Sequence, residues 1–169
     1  GTNKRDAIVE LVKSVNSSVS DGQGGHLKLC DGIGMQSYIG GYGQQSGCMN
    51  DNDITAVKNA IEKFASIGVE VHVTELAVRN YERSDEREAE HGAFYKKLMQ
   101  TYVDINKEAK AKGETGPITS LSIWGLFDAP YLAETDYSYK MNGPYCGLFT
   151  ELYQPKEAFK EVYKVLSGE

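Results

Sequence analysis

The stretch Val69-Glu70-Val71-His72-Val73-Thr74-Glu75-Leu76 decides the fold. Its β-branched residues and its alternation of apolar Val69, Val71 and Val73 with polar Glu70, His72 and Thr74 predict a strand. Gly68, just before it, ends an amphipathic helix with Ile54, Val57, Ile61, Phe64 and Ala65 on one face and Asp51 or Asp53 as its cap. Upstream of that helix lies a loop, Gly40 to Asn52, holding Gly40, Gly41, Gly43 and Gly47. Before the loop, Leu27 to Met35 reads as a buried strand. Ser20 to Gly25 is a polar break, and Asp6 to Val19 carries Ile8, Leu11, Val12 and Val15 at helical spacing. Downstream, charged Asn80 to Glu90 leads into a helix stripe of Phe94, Leu98, Tyr102, Ile105 and Ala109. Gly113 to Pro117 breaks it, Ile118 to Trp124 predicts a third strand, and an aromatic loop runs from Phe127 to Phe149. Pro155 opens a closing helix with Ala158, Phe159, Val162 and Leu166. The order α-β-α-β-α-β-α argues for an α/β fold on a parallel sheet. Three strands close no sheet, so the chain is either a small open unit or part of a larger one.

The 169 residues suit a single domain, and 40% hydrophobic with 25% charged residues provide a core and exclude disorder. A net charge of −6, with Lys and Arg scattered over helical faces, excludes nucleic acid as a main partner. No apolar run approaches the roughly 20 residues of a membrane span, and no signal segment opens the chain. Of three cysteines, Cys30 is expected as a buried thiol, while Cys48 and Cys146 sit in Gly-rich loops where a bridge stays open. His26, His72 and His91 show no ligand spacing with acids or cysteines, so neither metal nor cofactor is expected.

Reactive groups of parallel α/β sheets gather at the C-terminal strand ends. Here those ends read Gln36-Ser37-Tyr38, Thr74-Glu75-Leu76 and Trp124-Gly125-Leu126-Phe127-Asp128. An amide, a carboxylate and an indole on one rim fit sugar chemistry: the carboxylate meets an oxocarbenium-like centre, the amide bonds hydroxyls and the indole stacks on a pyranose. Taken singly, each has a plainer reading: a salt-bridged rim glutamate, a core tryptophan, a glutamine capping a turn.

Their surroundings weigh more. Asp31-Gly32-Ile33-Gly34-Met35-Gln36-Ser37 resembles the sixth-strand motif of glycoside hydrolase family 10, the xylanases. Val71-His72-Val73-Thr74-Glu75-Leu76 resembles its seventh, nucleophile-bearing strand, and Ser122-Ile123-Trp124-Gly125-Leu126-Phe127-Asp128 its eighth. Gly147-Leu148-Phe149 and Tyr153-Gln154-Pro155-Lys156-Glu157-Ala158-Phe159 resemble the approach to its last helix. The motifs follow the family order across nearly the whole chain.

The resemblance implies a C-terminal partial (β/α)8 TIM barrel, strands six to eight with their helices, with residues 1–169 forming one portion of a single domain. A complete barrel takes about 250 residues. The family's acid/base glutamate lies in an Asn-Glu dipeptide after the fourth strand, and no such dipeptide occurs here. The implied activity is that of a retaining endo-1,4-β-xylanase, with Glu75 as nucleophile, Gln36 and Tyr38 orienting it or a sugar hydroxyl, and Trp124 as the floor. Expected partners are xylan and either the N-terminal half of the barrel or a second copy of the chain. The implied location is secreted or at the cell envelope. Three positions depart from the family pattern: Tyr38 replaces a histidine, Ala77 an aspartate, and Leu132 an indole for which Tyr131 stands in. Tyr38 is expected to reach Glu75 through its hydroxyl or else to line the subsite beside it, and the inner sheet face to leave an apolar surface open to water. The rival readings are a non-catalytic carbohydrate-binding remnant and a structural fragment that self-associates.

Overall fold

The computed structural model describes residues 2–40 and 49–169. In chain order the elements are α1 (Thr2–Asn16), β1 (Gly32–Met35), β2 (Tyr38–Ile39), α2 (Asp51–Ala65), β3 (Glu70–Val78), α3 (Asp85–Ala111), β4 (Ile118–Ile123), a 3-10 turn (Pro130–Leu132), α4 (Tyr137–Asn142) and α5 (Glu157–Ser167). β3 is the central strand. β1 runs parallel along one side with Ile33 opposite Val71, and β4 runs parallel along the other with Leu121 opposite Val73. β2 prolongs the line of β1, with Tyr38 opposite Ala77. The sheet is α/β and parallel as expected, and it is not closed: β1 and β4 each lack a second neighbour among the described residues.

Local chemistry sets the boundaries. The Asn50 side chain caps α2 by accepting from the Asn52 N–H, ahead of Asp51 and Asp53, which complement the helix dipole. Ser84 caps α3 by accepting from the Arg87 N–H, with Asp85, Glu86 and Glu88 in the first turn. Gly68, at φ 74°, lets the chain leave α2 and turn directly into β3. Val71, Val73, Leu76 and Val78 are fully buried against Ile61 of α2 and Tyr95, Leu98 and Met99 of α3. Each such apolar side chain contributes about 1.5–3 kcal/mol by leaving water.

Several expectations are corrected. Only Gly32–Met35 of the expected strand Leu27 to Met35 is extended in the sheet, and Leu27 and Leu29 are exposed. The Asn16 side-chain oxygen instead accepts from the Leu29 and Cys30 N–H groups, which removes their need for a strand partner. Cys30 is half-buried rather than buried. The pairing considered for Cys48 lies outside the described residues, while Cys146 is a buried free thiol. The aromatic loop after β4 folds into the 3-10 turn and α4, the latter capped by Asp136. Finally, the open sheet face is not apolar. It presents Gly32, Gly34, Glu70, His72, Thr74, Thr119, Ser120 and Ser122, and Thr119 and His72 both contact the Glu70 carboxylate.

Candidate active site

The register of β3 slips against both neighbours near its C-terminal end, beyond a first slip against β4 between Val71 and His72, where β4 carries the extra residue. From Met35 to Tyr38 the neighbouring line advances three residues while β3 advances four, from Val73 to Ala77. Along β4, Leu121 to Ile123 is two residues where Val73 to Leu76 is three. β3 therefore carries one extra residue on both sides, a bulge spanning Thr74 and Glu75. A bulge breaks the alternation and re-aims the side chain it carries. Without it Glu75 would share the fully buried side of Val71 and Val73. With it, Leu76 takes the buried place and Glu75 is half-buried on the side of the open rim.

The neighbouring strand ends converge on this bulge. The Glu75 N–H donates to the Gln36 carbonyl at 3.1 Å, and the Trp124 N–H donates to the Leu76 carbonyl at 2.9 Å, so the ends carrying Gln36 and Trp124 flank β3 on its two sides at the bulge. Gln36 is exposed, and Trp124 remains 41% exposed instead of joining the core. The Tyr38 hydroxyl donates to Glu75 Oε2, which distinguishes that carboxylate oxygen from Oε1. Ala77, directly across from Tyr38, is 0% exposed. Tyr131, 70% exposed on the 3-10 turn, shares no hydrogen bond with the other four among the described residues.

Two supports under the rim escaped the sequence reading. Lys156, at the start of α5, donates to both Asp128 carboxylate oxygens at 2.9 and 3.0 Å and to the Tyr145 carbonyl, and lies 3.1 Å from Glu88 of α3. Burial pushes the Asp128 carboxyl up to about 6, against the opposing pull of Lys156. Both residues stand in the motifs quoted above, but no spacing announces their pairing. Arg79, at the end of β3, is buried with its guanidinium on backbone carbonyls. His91 is fully buried beneath the same rim, its Nε2 3.1 Å from the Val78 carbonyl; burial first, and the charge of Lys156 second, hold its pKa down to about 3. The ring is therefore neutral and donates from Nε2. A groove of about 810 Å³ lies at the opposite end of the sheet, between Glu70, Glu108, Lys112 and Pro117, away from Glu75.

The family described as Glycosyl hydrolase family 10 matches residues 1–165. The chain is 32% identical over 142 residues to endo-1,4-beta-xylanase B of Butyrivibrio fibrisolvens, covering 81% of this chain and 19% of that protein. It is 29% identical to an endo-1,4-beta-xylanase of Geobacillus stearothermophilus, over 96% of this chain and 44% of the other. The structure superposes on the Clostridium thermocellum N-terminal endo-1,4-beta-D-xylanase 10B modules complexed with xylohexaose, with a TM-score of 0.63 and 28% identity, over 94% of this chain and 26% of that one. The chain thus spans less than half the length of each of these relatives.

Proposed function

The chain belongs to glycosyl hydrolase family 10, and from that premise we propose that it is the C-terminal portion of a (β/α)8 barrel, strands six to eight, that hydrolyses β-1,4-xylan with retention. The observation that carries the proposal is Glu75, turned to the rim by a bulge, bonded by the Tyr38 phenol and flanked by Gln36 and Trp124. Retaining hydrolysis uses two carboxyl groups about 5–5.5 Å apart. Glu75 attacks the anomeric carbon as the leaving oxygen takes a proton from an acid, giving a glycosyl ester. Water, deprotonated by the same acid's conjugate base, then releases the sugar and frees Glu75. The acid/base belongs to the remainder of the barrel, whose implied dipeptide this chain lacks. Gln36 holds a sugar hydroxyl, Trp124 floors the sugar beside the cleaved bond, and Tyr131 flanks a neighbouring sugar. Xylan is too large to enter a cell, which puts the site of action outside, secreted or at the envelope.

The test is a 2-deoxy-2-fluoro xylobioside carrying a dinitrophenolate leaving group, given to the complete domain. Such a leaving group needs no protonation, and the fluorine slows hydrolysis of the ester. Mass mapping is expected to find one fluoroxylobiosyl group, a disaccharide, on Glu75 and none in Glu75→Gln. Xylan binding without any adduct would favour the carbohydrate-binding reading instead.

A further inference from the structure

β2 is two residues long and lies between two left-handed residues, Ser37 at φ 67° and Gly40 at φ 105°. Serine in that region is strained, and so short a strand has few ladder bonds to fix it. Yet β2 carries Tyr38, whose hydroxyl must stay on Glu75. The missing rigidity comes from Arg79, 5% exposed, at the end of β3. Three consecutive carbonyls accept from it. The Ile39 carbonyl takes the Arg79 backbone N–H at 2.9 Å, and Nη1 lies between the Gly40 carbonyl and, at 3.5 Å, the Tyr38 carbonyl. On its other side, Nε donates to the Met141 carbonyl of α4 at 3.2 Å.

We propose that Arg79 is a positioning residue for the candidate nucleophile, fixing the strained 37–40 turn against α4 so that the Tyr38 phenol stays on Glu75. The inference rests on the reading of Glu75 as nucleophile and deepens it. A planar guanidinium offers donors in fixed, diverging directions, which suits carbonyls on two different segments; an ammonium on a flexible stem does not hold that fork. Misplacement of a catalytic group by about 1 Å lowers rates by about a hundredfold, so a residue that touches no substrate still governs turnover.

The test needs no turnover. 3-Fluorotyrosine placed at Tyr38 in the full chain gives a fluorine resonance that senses the carboxylate its hydroxyl donates to. At one fixed pH, that resonance is expected to lie apart from the same label in Glu75→Gln, and the separation reads the contact. Arg79→Met, compared with its own Glu75→Gln double variant, is expected to shrink the separation to about half or less, and Arg79→Lys to fall between, since charge alone does not restore the fork. A full separation in folded Arg79→Met, or none in the parent chain, overturns the proposal. If Arg79→Met does not fold, Arg79→Lys decides, and an unchanged separation there overturns it equally. Failure of the complete domain to form the Glu75 adduct would count against the enzymatic reading alone, because the fluorine separation is measured independently.

Discussion

Tyr38 and Ala77 face each other across parallel strands, and both differ from the residues the family resemblance implies there. The two positions are register partners, Ala77 is fully covered, and the Tyr38 phenol bonds Glu75. A neutral donor thus takes the place of an imidazole. The titratable histidine of this region is instead His91, buried and neutral beneath Val78. Its folded pKa of about 3 lies below the unfolded value of 6.5, so the unfolded chain binds the extra proton first as pH falls. Stability from this group is complete above about pH 6.5 and is lost on acidification towards about pH 3. Between about pH 7 and pH 5 the loss is about 2 kcal/mol. His91→Gln, which keeps a donor for the Val78 carbonyl, is expected to flatten that part of the stability–pH curve in urea unfolding. An unchanged slope would place a charged His91 in the folded state.

At the scale of elements, the rim holds because each strand end is tied to a helix it does not adjoin in sequence. α4 closes on β3 through the Asn80 N–H to the Asn142 carbonyl and the Tyr145 N–H to the Asn80 carbonyl. Gly143 sits at φ 90° with the Asn80 carbonyl 1.9 Å from where a Cβ would stand, so only glycine lets the two backbones meet there. α5 is tied to the end of β4 by Lys156 and Asp128, at 5% and 1% exposure, and to α3 through Glu88. Lys156→Met is expected to cost about 3–5 kcal/mol in chemical denaturation, because it strands a buried Asp128 carboxylate. A cost below about 1 kcal/mol, the value of an exposed pair, would show that water reaches Asp128.

For the molecule as a whole, the helices cover one face of the sheet while the other is polar and open. The polarity removes the apolar exposure expected of an isolated piece. What stays unfinished are the strand edges: among the described residues β1 and β4 each have no second strand neighbour, the kind of edge that seeks another strand. Alone, the chain is expected to release no reducing ends from xylan, for want of a second carboxyl. Mixed with separately produced upstream β/α units of the same barrel, it is expected to gain xylan hydrolysis and to co-elute with them. Hydrolysis by the chain alone would mean that a carboxylate other than the family's acid/base serves as partner.

The sequence by itself determined the alternation of helices with parallel strands and the three strand ends that meet at the rim. Periodicity, capping residues and Gly68 are local signals, and the Val69–Thr74 alternation needs no knowledge of what lies across the sheet. It also contained the polar face, in Glu70, His72 and Thr74, although that they share one face with Gly32, Gly34 and Ser120 is visible only once the strands are aligned. Tertiary structure alone decided where Glu75 points, because a bulge is a property of register between strands and not of one strand's residues. It alone shortened the strand expected at Leu27 to Met35, where Asn16 of α1 took the backbone bonds a neighbour would have made. The buried ties of Arg79 and Lys156 belong to the same class. Each joins segments far apart in the chain, so the charge is visible in the sequence while the partner that makes its burial tolerable is chosen by the fold.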